Sequence, residues 1–394
     1  MDSATEPLDE PCSFSARVDG NTLSVIPSGI ERLESLLSHI KCAQYSVTLI
    51  TYTFAADKSG HAVLSALVDA ALREVAVRLI VDDFGSTKTQ DDFFAPLRAA
   101  GGSVQRFGMG RTRRYLVRNH QKLIIIDGKT AIIGGFNIAD PYFAAHYDPN
   151  GWCDLGLIIE GPVVDICQRW CDGLLAWMAQ PRQSWRRLSR LIRAFHADGE
   201  AVSLVVGGPT PRLSPWARQL RHDLSLGRSV TAAMAYFSPN AGFLRRLAGV
   251  AARTSATLIL PASSDNAATV GASRLLYGYL LKHGVQINEY TASLLHAKIA
   301  VIDNIVYIGS ANFDMRSLYV NVELMLRVDD ARFAVLCRDF ITSLAQESTP
   351  ITTELHNKRA GWLNRLRWAL SWLMVGVIDY GVTRRLNFGL PKRK

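Results

Sequence analysis

No stretch of these 394 residues stays apolar for the ~18 residues or more that a bilayer-spanning helix needs. The opening MDSATEPLDEPC is acidic and has no apolar run, so it does not read as a signal peptide. Residues 1–20 read instead as a mobile leader. Cysteine is sparse: six residues (Cys12, Cys42, Cys153, Cys167, Cys171 and Cys337), none in a Cys-x-x-Cys pair. Cys167 and Cys171 are four apart, share a helix face and read as apolar helix residues, with no further ligands at zinc spacing. No metal and no cofactor is expected, and a reducing, cytosolic setting fits. Low-complexity sequence is also missing. With 48% hydrophobic and 20% charged residues, the chain has the composition of an ordered protein of about two domains.

Charge of one sign is abundant in one place. The formal net charge is +9, and nine basic residues lie between Lys358 and Lys394 with Asp379 as the only acid among them. The rest of the chain is therefore close to neutral. A segment this basic favours a polyanion, either nucleic acid or an anionic membrane. It also holds Trp362, Trp368, Trp372 and an apolar run from Trp368 to Ile378, whose helical length of roughly 16 Å is too short to cross a bilayer. Tryptophans, a short apolar stretch and flanking arginines describe a segment lying in a membrane interface; packing on the protein's own core is the alternative.

The chain repeats itself. SVTLITYTF (46–54), a helical stretch near 61–74, VAVRLIVDD (75–83), GGSVQRF (101–107), NHQKLIIID (119–127) and TAIIGGFN (130–137) follow in order. The second half replays them: SVTAAMAYF from Ser229, a helical stretch near 243–253, SATLILPASSD, HGVQINEY, LHAKIAVID and VYIGSAN. This is a tandem duplication, and its alternation of strands and helices predicts two α/β lobes. The expected organisation is a leader over 1–20, lobes over 21–180 and 201–350, a basic linker over 181–200 and a basic tail over 351–394. The linker is amphipathic, with Trp185, Leu188, Leu191 and Ile192 among arginines, and reads either as a second membrane-facing element or as a solvated surface helix.

Each repeat carries His-x-Lys-x-x-x-x-Asp: His120, Lys122 and Asp127, then His296, Lys298 and Asp303. Alternation along a strand puts each histidine on the same side as its lysine. Asn137 follows the first motif, and Ser310 and Asn312 follow the second. A phosphodiester suits this set. The lysines would neutralise its non-bridging oxygens, and the asparagines, with Ser310 and backbone N–H groups, would add hydrogen bonds. One imidazole would attack phosphorus and the other would carry the proton. Each imidazole then needs a carboxylate on its other nitrogen. Glu323 is the candidate in the second half and Asp154 in the first. Asp127 and Asp303 belong to the motif but stand at strand ends beside turns, where structural duty is expected. The roles of Tyr52, Asp82, Asp83 and Tyr236, which end strands on the same side, are left open.

These residues resemble the phospholipase D superfamily, whose signature is this doubled motif, over roughly residues 22–345. Within it the chain is most similar to bacterial cardiolipin synthases, through ITYTF, VRLIVDDFGS, RNHQKLIIIDGKTAIIGGFNIAD, LIIEGPVV and LHAKIAVIDNIVYIGSANFDMRSLYVNVE. The resemblance implies an α/β fold of two tandem lobes, mixed sheets flanked by helices, with one pseudo-twofold cleft. It implies that His120 is the nucleophile and His296 the acid/base, through a phosphohistidine. The implied reaction moves a phosphatidyl group between phosphatidylglycerol molecules and releases glycerol. The implied setting is peripheral, at the cytoplasmic face of a bacterial inner membrane, because the N-terminal spanning helices of many such synthases are not seen. Two departures stand out: one residue fewer between His296 and Asn312 than between His120 and Asn137, and Gly135 where the second repeat has Ser310.

Three other readings compete. A phospholipase D would hand the same phosphatidyl group to water. A nuclease would use the basic tail on backbone phosphates, although the tail tryptophans cluster with aliphatics instead of alternating with basic residues as a base-stacking surface would, so no nucleic acid is expected. A decayed, lipid-binding scaffold is opposed by two intact motifs.

Overall fold

A computed structural model of the chain describes residues 10–108, 117–146, 148–181, 183–197 and 199–379. Two eight-stranded mixed sheets form its framework. In the first, the strands lie in the order Phe14–Val18, Asn21–Ile26, Gly156–Glu160, Thr130–Gly134, Leu123–Ile126, Ser46–Thr51, Ala76–Asp82 and Ser103–Phe107. In the second the order is Val202–Gly207, Glu323–Asp329, Ile305–Gly309, Lys298–Ile302, Ser229–Met234, Ser255–Pro261, Gln286–Tyr290 and Ser348–Pro350. Seven strands correspond one to one, with the same parallel and antiparallel neighbours. The duplication read from sequence is thus a duplication of topology. Each sheet adds its eighth strand at the opposite edge.

Alternation along the central strands sorts the core. Leu123, Ile125, Ala131 and Ile133 of the first sheet share one inner cluster with Ile299, Val301, Val306 and Ile308 of the second. Helices Val163–Met178 and Ala331–Gln346 contribute Trp170, Leu174, Phe333 and Cys337 to it. The intervening residues face outward. Ile124, Ile126 and Ile132 pack under helices Gly29–Cys42 and Lys58–Leu72. Ala300, Ile302 and Tyr307 pack under Pro215–Leu226, Ala241–Arg253 and Ala267–Lys282. Both sheets are therefore covered on both faces, which is why these strands are apolar throughout. Cys167 and Cys171 are buried, free and within this apolar packing.

The residue missing from the second motif is lost in a turn. Ile126 pairs with Thr130, whereas Ile302 pairs with Ile305. Beyond the turn the registers coincide, so the shortened spacing leaves the site end of the strands unchanged.

Three parts of the expected organisation change. Residues 14–18 are no leader: they form a strand that buries Ala16 and Val18 and turns through Asp19 and Gly20, both at positive φ, into Asn21–Ile26. An Asp-Gly pair between alternating apolar residues is a strong hairpin signal. Residues 1–9 lie outside the described residues. In the linker, helix Trp185–Ala194 turns Leu188 and Ile192 into the inner cluster, so its apolar stripe is already covered by protein and faces neither membrane nor water. In the tail, Thr353–Arg359 and Trp362–Trp372 are α-helical and Leu373–Asp379 continues as a π-helix. Trp368 is buried, while Trp362 is exposed. Residues 380–394, with the last five basic residues, lie outside the described residues. Among the described residues no helix is long and apolar enough to cross a membrane.

Candidate active site

The two motifs meet where the halves exchange short segments. The stretch before Leu123–Ile126 runs beside the second half: His120 donates its N–H to the Val322 carbonyl at 2.9 Å, and Val322 returns one to Arg118 at 2.8 Å. The stretch before Lys298–Ile302 does the reverse. Leu294–Leu295 pairs in parallel with Trp152–Cys153, and His296 donates its N–H to the Cys153 carbonyl at 2.7 Å.

This exchange crosses the carboxylates. His120 Nδ1 is 3.1 Å from Glu323, and His296 Nδ1 is 2.6 Å from Asp154. Each imidazole is held by the acid of the other half. The acids occupy equivalent places, two residues before Gly156 and Met325, which pair with Gly134 and Gly309. With each Nδ1–H engaged by a carboxylate, Nε2 is the nitrogen left for chemistry.

The acids differ by one methylene, and their surroundings compensate. Glu323 accepts from Ser310 Oγ at 2.6 Å, Ser317 Oγ at 2.8 Å and Asn321 Nδ2 at 3.4 Å. Asp154 accepts its own neighbour's N–H, from Leu155, at 2.7 Å. Its carboxylate lies over Gly135, where a Cβ would come within 2.3 Å of Oδ1. The Gly135/Ser310 difference read in the sequence is therefore a difference of carboxylate seating.

Lys122 Nζ donates to the His120 carbonyl at 2.8 Å. Lys298 Nζ donates to the His296 carbonyl and lies against the ring, 2.7 Å from Nδ1 and 3.3 Å from Nε2. Both lysines are buried. Burial lowers Lys122 to about 7 and Lys298 to about 8, against the opposing pull of Glu323 and Asp154. Burial also lowers both histidines, with Lys298 adding to the effect at His296. Burial alone would raise Glu323 and Asp154. His120 and Lys122 hold Glu323 below the ordinary range, and Lys298 and His296 do so for Asp154.

The histidines are not equivalent. His296 is walled by the rings of Tyr142, Trp152 and Tyr236, at 5.0, 5.2 and 6.2 Å, and its side chain is 4% exposed. Among the described residues His120 has one ring partner, Tyr52 at 4.9 Å, and is 12% exposed. Asp82 fixes the His120 segment by accepting N–H bonds from Asn119 at 2.7 Å and from Phe84 and Gly85 at 3.0 Å, and burial raises its pKa to about 6.

Several expected contacts are redirected. Asp127 accepts from the N–H groups of Gln44, Tyr45 and Ser46, and Asp303 from those of Arg228 and Ser229. Each stands at the far end of its strand, roughly 16 Å of extended chain from its lysine. Both leave the catalytic set and serve as turn clamps. Asn137 and Asn312 accept from the Thr53 and Tyr236 N–H groups, at 3.1 and 3.3 Å, clipping the loop after each central strand. Asn137 also donates to Tyr142 Oη at 2.7 Å, so its amide is committed to the protein. Asn312 keeps Nδ2 as its remaining donor. Ser310 donates to Glu323 and is not free to donate to a substrate.

Sequence reasoning missed Tyr142, Trp152, Ser317, Asn321 and Arg32. Trp152 stands two before Asp154, on the same side of the chain, which is a usable signal. Arg32 carries none: from helix Gly29–Cys42 it is buried and donates to the Pro27 and Tyr142 carbonyls at 2.6 Å and to that of Asp154, fixing the loop that presents the acid.

The family described as "Cardiolipin synthase, PLD-like domain" matches residues 36–169 and 176–344. The chain is 31% identical over 356 residues to cardiolipin synthase B of Escherichia coli (strain K12), spanning 87% of this chain and 85% of that protein. It is 28% identical over 375 residues to the major cardiolipin synthase of Bacillus subtilis (strain 168), spanning 91% and 76%. Among solved structures, phosphatidylserine synthase of Haemophilus influenzae Rd KW20 superposes with a TM-score of 0.68 at 14% identity, over 90% of this chain and 95% of that one. Polyphosphate kinase of Porphyromonas gingivalis gives 0.55 at 16% identity, over 85% and 49%. At these identities the structural likeness is one of fold.

Proposed function

Since the chain belongs to the cardiolipin synthase family of phospholipase D-like proteins, we propose that it transfers a phosphatidyl group from one phosphatidylglycerol to another and releases glycerol. The observation that carries this reading is the crossed site: two histidines, each seated by the other half's carboxylate, with a buried lysine beside each.

His120 Nε2 attacks phosphorus, and the P–O bond to glycerol breaks. The leaving alkoxide takes a proton from His296 Nε2, and glycerol departs. A hydroxyl of the second phosphatidylglycerol gives its proton to His296 and attacks phosphorus, and the P–N bond breaks to release cardiolipin. Lys122 and Lys298 neutralise the charge growing on the non-bridging oxygens. His120 as nucleophile follows the family resemblance and suits its more open position. His296 must be protonated to act as acid. The bound phosphodiester anion raises its pKa from the depressed value of the empty site, so the proton arrives with the substrate.

The reaction takes place at a membrane surface in this reading. The exposed tail helix and the basic residues around it support peripheral attachment.

The test is to incubate the purified protein with phosphatidylglycerol vesicles and resolve the products. Cardiolipin with free glycerol is expected, and is lost in His120→Ala and His296→Ala. Phosphatidic acid alone would make water the acceptor and the protein a phospholipase D. Full activity in either variant would sink the mechanism.

A further inference from the structure

A second anion-seeking feature lies outside the histidine site. A cavity of about 290 Å³ opens between the first turns of helix Ala267–Lys282 and the tail helices, bordered by Ser264, Arg274, Arg359, Asn364, Arg367 and Trp368. No acid borders it. Arg274 and Arg359 share a single buried carboxylate behind the wall, Glu289: Arg274 at 2.7 and 3.0 Å, Arg359 at 2.9 Å. Arg367 has no hydrogen bond or ion pair among the described residues. Three guanidiniums against one carboxylate leave the groove with two uncompensated positive charges.

The helix that forms one wall has a second property. Trp362, Leu363, Leu366, Leu370, Leu373 and Met374 are between 41% and 74% exposed. At helical spacing they fall within roughly 120° of arc, a single stripe. Arg367 lies at the edge of that stripe nearest the groove, and Trp368, beyond it, is buried against helix Ala267–Lys282. The contact is close: a Cβ on Gly271 would come within 2.6 Å of Ser371 Oγ. The stripe is therefore held outward on a fixed helix, with the cationic groove alongside.

We propose that this groove binds the phosphate of an anionic phospholipid whose acyl chains lie along the exposed stripe, as a docking site separate from the paired histidines. A phospholipid is the molecule with an anionic head joined to apolar chains, which is the order in which the groove and stripe present themselves. The proposal rests on the reading of the protein as a lipid-processing enzyme. It adds an orientation to that reading. Ser264 borders the groove, and the next residue, Asp265, accepts from Tyr236 Oη at 2.7 Å; the Tyr236 ring faces His296 at 6.2 Å. A lipid docked here places the rim of the histidine site against the same bilayer surface.

The experiment is vesicle sedimentation with the full chain carrying His120→Ala, so that no turnover alters the lipid. Vesicles of phosphatidylcholine alone are compared with vesicles that also contain phosphatidylglycerol. Arg367→Gln should weaken binding to the anionic vesicles roughly fivefold, and Arg359→Gln with Arg367→Gln about five times further. Arg17→Gln, at an exposed position of the half-buried strand Phe14–Val18, should change nothing. Arg359 is paired to Glu289 and its loss could disturb folding; Arg367 is exposed and unpaired, so the single variant stands as the decisive one. If Arg367→Gln binds like Arg17→Gln, the site is overturned. Millimolar inorganic phosphate at constant ionic strength should leave vesicle binding standing; if it abolishes binding, the groove takes free phosphate and the lipid assignment falls. Product analysis on the unsubstituted protein reports separately on the reaction, so a failure of the transferase reading is not confused with a failure of the docking site.

Discussion

The site is a set of buried charges that hold one another in unusual protonation states. Lys122 near 7 and Lys298 near 8 are cations only below those values in the free protein. Their charge, and with it capture of an anionic phosphodiester, is lost as pH rises. Burial depresses both histidines, so His120 stays neutral and nucleophilic at pH values where an ordinary histidine begins to charge. Hence kcat/KM for phosphatidylglycerol should decline as pH rises, because free His296 has lost its proton, and decline more steeply through about pH 7 to 8, where the lysines lose theirs. An alkaline limb near pH 10, where unperturbed lysines titrate, would show that the lysines are not held as described. Gly135→Ser gives a second test. The added side chain displaces the Asp154 carboxylate from His296, so kcat should drop by about 10² or more. Ser310→Ala removes only one of several donors to Glu323 and should cost much less. Equal effects of the two would contradict the different seating of the two acids.

Much of this was readable in advance, and the reason is local. Histidine and lysine two apart on a strand announce their shared side, and two copies announce a shared site. Asp154 and Glu323 could be picked as partners from their place in each repeat. That they serve the opposite histidines could not, because the exchange depends on how the halves pack. Ser310, Asn137 and Asn312 illustrate the same limit: their chemistry suits a phosphate, but the protein engages Ser310, Asn137 and the oxygen of Asn312 first.

Among the elements, strands were legible as short apolar runs bounded by turn residues, as in Leu123–Ile126 and Lys298–Ile302. Several elements escaped, and two of them show why. The hairpin Phe14–Ile26 was hidden by the acidic opening before it, although its Asp-Gly turn was in plain sight. Helix Ala267–Lys282 contains Gly271 and Gly278, which lower helix propensity by up to ~1 kcal/mol each and mask it. The structure gives the reason for them. Ser371 and His356 of the tail helices approach these two positions. The linker and tail helices are both amphipathic in sequence, yet one stripe is covered and the other exposed, and only packing distinguishes them. Leu366→Glu with Leu370→Glu should therefore release the protein from phosphatidylglycerol vesicles while leaving its thermal unfolding nearly unchanged, since both side chains are exposed. Unchanged sedimentation would remove the tail helix from membrane attachment.

At the scale of the whole molecule, one inner core joins the two sheets, and neither half closes it alone. A chain cut after Ala197, in the segment following helix Trp185–Ala194, should yield two fragments that show no turnover separately and regain it when co-expressed. Turnover by one fragment alone would contradict a site shared between halves.

The crossed carboxylates also bear on descent. A duplicated gene ordinarily frees one copy to drift while the other keeps the trade. Here a lesion at Asp154, written in the first copy, disables the histidine of the second, and a lesion at Glu323 does the converse. Neither copy is redundant, so neither can decay alone. The pairs that must stay matched span the gene, His120 with Glu323 and His296 with Asp154, which makes the two halves one unit of inheritance despite their separate sheets.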